Sequence, residues 1–410
     1  MGQACATQSV MCQMILSENS SLFNSLPVLK DELFRLRKSR YVEEIKKFIV
    51  EGARIAGDTA LDPVCEQGQE SVVSVLLEAG AVVNTVNTPL IQAAGNGHNS
   101  VVQVLLESGA VVNKTNKGGW TALLSSAKEG HLDVVTTLLE ARADVDMQLS
   151  NGTTALELAS MWGHLKIVQT LIDFGASVDL VDENGESALT TAANEGSSNV
   201  VEFLLDMGAS VDLAGHSGWT SLVVAAYYGH VDVMRILLKR GASVDEPQED
   251  GLTALHMVCK GGYYDAVEML LENGADVDHP DKKGVTALMV AVSNGHVDVI
   301  RLLVDKGACL DKQLPVGWTA LHPASTEGHA DVVALLLDKG ANCGDSSLVY
   351  AAELGQTEVV RVLLEKGATV DLPGKDGWTS LMMASQNGHT DIVKLLIQSH
   401  ADVNKQRSKG

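Results

Sequence analysis

Histidine is the residue type with the clearest capacity for chemistry in this sequence, because a neutral imidazole binds transition metals and acts as a general base near neutral pH. Seven histidines follow a glycine at one recurring position: His98, His131, His164, His230, His296, His329 and His389. A metal site needs ligands that converge within a few ångströms. These histidines instead recur singly, without Cys, Asp or Glu at metal-ligand spacing beside them. We therefore predict that they bind no metal.

Other motifs of catalysis and ion binding are equally weak. Asp276, Asp278 and Asp281 partly resemble a calcium loop, but Pro280 interrupts the pattern and the closing glutamate is missing, so turn residues are expected. The sequence contains no P-loop, no HExxH and no G-x-S-x-G motif. Ser, His and Asp each recur at fixed positions, whereas a catalytic group should differ from its copies. The sequence predicts a non-enzyme that needs no cofactor.

The stretch Gly218–Asp245 shows which elements position these residues. Thr220 can cap a short apolar helix that Gly229 ends. Val233, Met234, Leu237 and Leu238 then form an apolar stripe on a second helix, and Gly241 follows where a left-handed residue usually ends a helix. The unit is a helical hairpin whose stripes can be buried only against copies of itself.

The copies repeat along most of the chain. The opening Thr or Ser recurs every 33 residues, at Thr88, Thr121, Thr154, Ser187, Thr220, Thr253, Thr286 and Thr319, with Thr59, Ser346 and Thr379 opening further units. With starts such as Gly251–His256 and Gly317–His322, the sequence resembles the ankyrin-repeat family, whose period and T-P-L-H-x-A signature agree. The resemblance implies an all-α solenoid of about eleven stacked helix-turn-helix units joined by β-hairpin fingers. It also implies that the seven histidines are structural and bond the turn between helices.

Large aromatic residues depart from the repeat pattern at two places. Trp120, Trp219, Trp318 and Trp378 directly precede an opening Thr, where other repeats have Thr153, Glu186, Leu252 and Val285. The last residues before the mid-repeat glycine include Met161, Trp162, Tyr227 and Tyr228. Family geometry places both positions on the concave groove.

Two interpretations of these aromatics remain open. In the structural one, each tryptophan covers the neighbouring finger. In the functional one, exposed aromatics on a rigid surface form a protein-binding site. We favour a groove from Trp120 to Trp318 that binds a partner protein, with the following contact residues: Trp120, Met161, Trp162, Glu186, Trp219, Tyr227, Tyr228, Leu252, Trp318 and Trp378.

Composition limits the class of partner. The formal net charge of −22 disfavours nucleic acid as the main partner, because binding a phosphate backbone needs clustered Lys and Arg. Acidic groove residues such as Glu129, Glu195 and Glu249 would attract basic segments. The six cysteines form no CxxC pair, so reduced thiols in a cytoplasmic, monomeric protein are expected.

The ends of the chain set the expected domain organisation. Residues 1–27 are predicted to be a disordered tail, 28–56 a degenerate capping repeat and 57–404 the ankyrin array, with 405–410 a tail or the start of a truncated next repeat. Gly2 and Cys5 are candidate acylation sites, although Ala6 departs from the myristoylation pattern. Two alternatives therefore stand beside the scaffold: a lipid-anchored membrane adaptor, and the substrate-recruiting arm of a larger enzyme such as a kinase or ubiquitin ligase.

Three local departures complete the expectations. Arg142 and His400 replace the helix-ending glycine, which predicts a local loss of stability. Asn404, and with poorer context Asn84 and Asn113, resemble the family's asparaginyl hydroxylation sites, although an asparagine that holds a turn is the alternative. The connections at Asn84–Thr88 and Cys343–Ser346 are short, which predicts blunted fingers.

Overall fold

The computed structural model describes residues 61–78, 80–85, 88–315, 317–343, 346–374 and 377–407. These residues belong to two units, one ending at Glu183 and one beginning at Asn184. The predicted tail 1–27, the predicted cap 28–56 and Thr59 lie outside the described residues.

The described part of the N-terminal unit contains eight α-helices, which form four hairpins. They are α1 (Leu61–Glu66), α2 (Glu70–Glu78), α3 (Pro89–Gly95), α4 (Asn99–Glu107), α5 (Ala122–Glu129), α6 (Leu132–Glu140), α7 (Ala155–Met161) and α8 (Leu165–Asp173).

The described part of the C-terminal unit contains fourteen α-helices, which form seven hairpins. They are α9 (Ala188–Asn194), α10 (Ser198–Asp206), α11 (Ser221–Tyr228), α12 (Val231–Lys239), α13 (Ala254–Gly261), α14 (Tyr264–Glu272), α15 (Ala287–Ser293), α16 (Val297–Asp305), α17 (Leu321–Glu327), α18 (Ala330–Asp338), α19 (Ser347–Glu353), α20 (Thr357–Glu365), α21 (Ser380–Gln386) and α22 (Thr390–Gln398). A short 3-10 turn, His216–Gly218, precedes α11.

Stacking of hairpins builds the core of each unit. First helices pack on the first helices of the next repeat, and second helices pack on second helices. In α12, Val233, Met234 and Leu237 are buried, as the predicted stripe requires, while Leu238 is half-buried. Because each layer buries side chains mainly against its neighbours, the core of each unit is narrow and consists largely of Leu, Val and Ala.

Side-chain caps begin most of the first helices. The Thr220 hydroxyl accepts a hydrogen bond from the Val223 N–H at 3.4 Å, and equivalent caps begin α5, α7, α9, α15 and α21. Thr88 differs, because its backbone is left-handed with φ of 50° and its side chain makes no capping bond to α3. Thr88 follows one of the two connections that are short in sequence.

Tight turns form the fingers between hairpins. In one, the Gln248 N–H donates to the Leu252 carbonyl at 2.9 Å and the Gly251 N–H donates back to the Gln248 carbonyl at 2.9 Å. These two bonds close a tight turn, and no β-strand forms within the described ranges. Both shortened fingers include residues outside those ranges (86, 87, 344 and 345), so their blunting stays a prediction.

Helix ends confirm the expected left-handed conformations. Gly241 ends its repeat with φ of 87°, and the non-glycine residues Arg142 and His400 take the same region with φ of 65° and 66°. Only glycine adopts this region without a steric penalty from a Cβ.

Candidate partner-binding surface

Two repeat positions meet on one surface of the C-terminal unit. One is the residue before the capping Thr or Ser, and the other is the last turn of the first helix. The Trp219 and Tyr227 rings join these positions within one repeat, with centroids 5.6 Å apart. Trp318 contacts Tyr350, which lies on the first helix of the next repeat, and their ring centroids are 5.5 Å apart. Side chains from fingers and first helices therefore contact each other at two places in this unit.

Trp219, Tyr227 and Tyr228 form what we call the central aromatic cluster. Tyr227 and Tyr228 lie edge to face with centroids 5.0 Å apart, and their exposed fractions are 41% and 50%. Trp219 is half-buried. Three large rings thus meet at a place where they remain open to solvent.

The end of α11 makes the two tyrosines project. Gly229 closes the helix in a left-handed conformation with φ of 75°, so Tyr227 and Tyr228 are its last helical residues. The earlier residues of α11, from Ser221 to Ala226, are all buried. Tyr228 also stacks on the His230 ring at 6.0 Å. The buried part of α11 therefore ends at Ala226, and the two tyrosines lie beyond it.

A lysine from the next repeat lies on the central aromatic cluster. The Lys260 ammonium is 5.6 Å from the centroid of the Tyr227 ring. This is within the range of a cation–π interaction, in which the negative face of the ring attracts the cation. Sequence reasoning missed Lys260, although it occupies the same repeat position as Tyr227, one repeat later.

A second group, the C-terminal aromatic cluster, contains Trp318, His322 and Tyr350. Trp318 stacks flat on His322, with centroids 5.6 Å apart and planes 7° apart. His322 is buried, and Tyr350 is half-buried. Tyr350 was not predicted as a contact residue, because its repeat is shortened and its role depends on a ring in the preceding repeat.

The other predicted contact residues of this unit belong to neither aromatic cluster. Glu186 is exposed and Leu252 is half-buried. Trp378 is half-buried and carries the Arg407 guanidinium 4.9 Å from its ring centroid. Arg407 comes from the segment after α22, which was expected to be a tail or the start of another finger.

In the N-terminal unit, the predicted contact residues show two environments. Trp120 is half-buried, and the Lys128 ammonium lies 5.7 Å from its ring centroid. Met161 is half-buried, whereas Trp162, at the end of α7, exposes 56% of its surface. Trp162 is therefore the most open of the aromatic residues predicted to bind a partner.

Comparison with known proteins decides the family. A family model described as ankyrin repeats (3 copies) matches overlapping segments: residues 64–148, 90–182, 141–215, 157–248, 211–281, 255–347 and 341–407. The chain belongs to the ankyrin-repeat family. It is similar to the crystal structure of the human ASB11 ankyrin repeat domain, with 28% identity and a TM-score of 0.50 over 54% of this chain and 99% of that one. No curated protein sequence matches it.

The recurring histidines bond between ankyrin layers. His98, His131, His164, His230, His296 and His389 each place Nε2 between 2.9 and 3.1 Å from a carbonyl oxygen at the end of the preceding repeat's first helix. His329 makes the same contact at 3.4 Å. One nitrogen of each imidazole thus joins two layers, which is a structural role but not the bond to the turn between helices that was expected.

Other chemistry-bearing groups of the ankyrin layers also have structural roles. The Asp278 carboxylate accepts the Cys309 N–H at 2.9 Å, and Asp276 accepts the Asp278 N–H at 3.0 Å, so both hold turns. Burial, with a smaller effect from Asp62, raises the pKa of the Cys65 thiol to about 12. Burial also raises the pKa of the Cys259 thiol. Both thiols stay protonated at neutral pH and are poor nucleophiles.

The three asparagines that resemble hydroxylation sites have different environments. Asn84 Oδ1 accepts the Val111 N–H, and Asn113 Oδ1 accepts the Asp144 N–H. Each bond is 2.9 Å long, and its donor belongs to the next repeat. Asn404 is exposed. Modification of Asn404 stays a prediction, and the candidate acylation sites Gly2 and Cys5 lie outside the described residues.

None of the described helices is both long enough and apolar enough to cross a membrane. Ankyrin repeats are generally protein-interaction modules and are typically non-catalytic.

Proposed function

We propose that this ankyrin-repeat protein is a non-catalytic scaffold or adaptor whose central aromatic cluster binds a partner protein. The carrying observation is the exposure of Tyr227 and Tyr228 beside Trp219, with ring centroids 5.0 and 5.6 Å apart. Aromatic residues are enriched among the residues that dominate binding energy at protein interfaces. The fully buried part of α11 ends before these tyrosines, so they contribute little to the core.

Size and charge of the surface fit a protein segment. A standard interface covers about 800 Å² on each partner, which a few neighbouring repeats supply. Glu186, Glu195, Glu249 and Asp250 are exposed in the repeats on either side of the cluster. Acidic residues around an aromatic centre favour a partner with basic or apolar segments and raise its association rate.

The non-catalytic part of the proposal rests on the environments of the reactive groups. The recurring imidazoles bond to carbonyl groups between layers, and the two buried thiols have raised pKa values. These imidazoles and these two thiols therefore serve the packing of the repeats.

Quantitative affinity capture from a cell extract tests the scaffold. The test variant carries Trp219→Ala, Tyr227→Ala and Tyr228→Ala. The control carries Tyr264→Ala and Met207→Ala, because Tyr264 is 42% exposed and Met207 is also exposed, but neither lies in the cluster. Both variants must keep the helical circular dichroism of the wild type.

We expect at least one protein to be captured by the wild type and the control but lost from the test variant. Direct binding of that protein, purified, to the wild type but not to the test variant completes the support. If every captured protein stays bound to a folded test variant, the cluster is not the binding site.

A further inference from the structure

We infer that the central aromatic cluster binds a cationic side chain, an arginine, from an extended segment of the partner, at the place that Lys260 holds in the free protein. This inference rests on the proposed function and adds the chemistry of the ligand. It concerns one subsite, the face of the Tyr227 ring beside Trp219.

The first support is that aromatic rings at these repeat positions already hold cations. Lys260 lies over Tyr227, Lys128 lies over Trp120 in the other unit, and Arg407 lies over Trp378. In each pair the ring belongs to one of the two surface positions described above. The faces of these rings are therefore open to a positive charge from the chain itself, and the same electrostatics would attract one from a ligand.

The second support is that Lys260 can leave its ring at low cost. Its side chain is exposed, and its ammonium makes no ion pair with any residue of the described ranges. A single exposed cation–π contact is weak, and holding a long side chain in one rotamer opposes it. Lys260 thus shows where a cation lies on the ring, and a cation of the ligand can take its place.

The third support is that exposed acidic residues, Glu195 and Glu249, belong to the segments before and after the subsite. On one side, the Glu249 N–H donates to the Ser217 carbonyl at 3.0 Å, which fixes the finger of Glu249 beside the finger that leads into Trp219. On the other side, the Asn194 carbonyl is bonded to His230, whose ring stacks on Tyr228, and Glu195 directly follows Asn194.

This arrangement favours arginine over lysine. A guanidinium is planar, so it can stack on an aromatic ring while its edge donates two parallel hydrogen bonds to a carboxylate. An ammonium can satisfy only one of these geometries well. Arg407 on Trp378 shows that an arginine from an irregular segment fits over a ring at such a position.

A phage-displayed library of random dodecapeptides provides the probe. It is selected on the wild-type protein and counter-selected on a folded Tyr227→Leu variant, so that the retained clones depend on the cluster. We expect these clones to be enriched in arginine, and synthetic peptides in which citrulline replaces the arginine should bind at least about tenfold more weakly.

Lys260→Met is the decisive variant, with Lys239→Met as its control. Lys239 is also exposed and its loss changes the net charge equally, but it lies at the end of α12, away from the cluster. If Lys260 competes with the ligand, Lys260→Met raises the affinity for the arginine peptides about threefold or more. Lys239→Met should raise it clearly less.

Three results would overturn the inference, and they separate it from the proposed function. The arginine subsite is wrong if the cluster-dependent peptides contain no cation, or if the arginine peptides bind Lys260→Met more weakly than the wild type. Either result is compatible with the proposed protein-binding surface. If no selected peptide depends on the cluster, both the subsite and the surface are wrong.

Discussion

Trp219 and Trp318 occupy the same repeat position, yet their rings have different neighbours. Trp318 lies flat on His322, a buried side chain whose Nδ1 accepts the Thr319 N–H at 3.0 Å and whose Nε2 is 3.1 Å from the Ser346 hydroxyl. Trp219 instead meets Tyr227 edge to face. The position equivalent to His322 in its repeat holds Val223, which is buried and aliphatic.

The comparison shows how one repeat position can serve two purposes. A flat imidazole at the third residue after the cap offers a tryptophan a ring to cover, so Trp318 stabilises its own repeat and the next. Without that ring, Trp219 lies against the exposed tyrosines at the helix end. We therefore expect the residue three positions after the capping Thr to distinguish a tryptophan that stabilises the stack from one that a partner can contact.

Alanine substitution of each tryptophan tests this difference directly. Trp318→Ala removes contacts with two rings, and aromatic pairs contribute about 0.5–1.5 kcal/mol each, so we expect a local destabilisation of about 2 kcal/mol. Trp219→Ala removes one such contact at a more open place and should cost about 1 kcal/mol or less. Native-state hydrogen exchange of α17 and α19, against α11 and α13, measures both effects locally.

The same two variants separate stability from binding. Trp219→Ala should weaken capture of the partner more than Trp318→Ala, although it destabilises the protein less. Equal losses of exchange protection around the two sites would contradict the distinction.

Much of the fold could be predicted because it depends on local sequence. The capping role of Thr220, the helix end at Gly241 and the left-handed backbone of Arg142 each follow from residues within one repeat. The left-handed backbone of Thr88 could not be predicted from the repeat pattern, because most other opening residues have an extended backbone.

The site was less predictable because its contacts join different repeats. Lys260 contacts Tyr227 across 33 positions of sequence, and Tyr350 contacts Trp318 across a shortened repeat. Residue types along one repeat do not reveal such pairs. Aligning the repeats by their capping Thr or Ser and reading each position down the stack would have shown Lys260 beside Tyr227.

Acid should destabilise the repeat that contains His256, the third residue after the capping Thr253. Burial, more than any other cause, lowers the pKa of His256 from its usual 6.5, although the Val285 carbonyl, Asp281 and Asp250 oppose the shift. The neutral ring accepts the Thr253 N–H at 3.2 Å through Nδ1, which leaves Nε2 to donate to the Val285 carbonyl at 3.1 Å.

The sign follows from proton binding. Below pH 6.5 the unfolded chain takes up a proton at this residue while the folded chain resists it until a lower pH. The stabilising contribution of His256 is therefore complete above pH 6.5 and falls as the pH drops through that range towards the lowered pKa. Urea unfolding between pH 7.5 and pH 5 measures the loss.

His256→Met is the matched control, because Met289 occupies the same position one repeat later. The variant should lose less stability than the wild type over the same pH interval, whatever its stability at neutral pH. An identical pH dependence would show that His256 takes up protons equally in both states.

The smallest expected effect concerns a third repeat position, the helix end, in the N-terminal unit. Arg142 has φ of 65°, where most repeats place a glycine, so Arg142→Gly relieves the steric cost of its Cβ. Glycine also gains conformational freedom in the unfolded chain, which offsets part of the gain. We expect the free energy of unfolding to rise by at most about 1 kcal/mol, with a higher urea midpoint.

The reverse substitution isolates the conformational part of that effect. Gly241 occupies the same repeat position with φ of 87°, and a Cβ built there meets no atom within 4 Å. Gly241→Ala should therefore lower stability through backbone strain alone. If Gly241→Ala is destabilising but Arg142→Gly is not stabilising, the Arg142 side chain contributes contacts that compensate for its backbone. If neither variant changes the midpoint, left-handed helix ends contribute little to the stability of this stack.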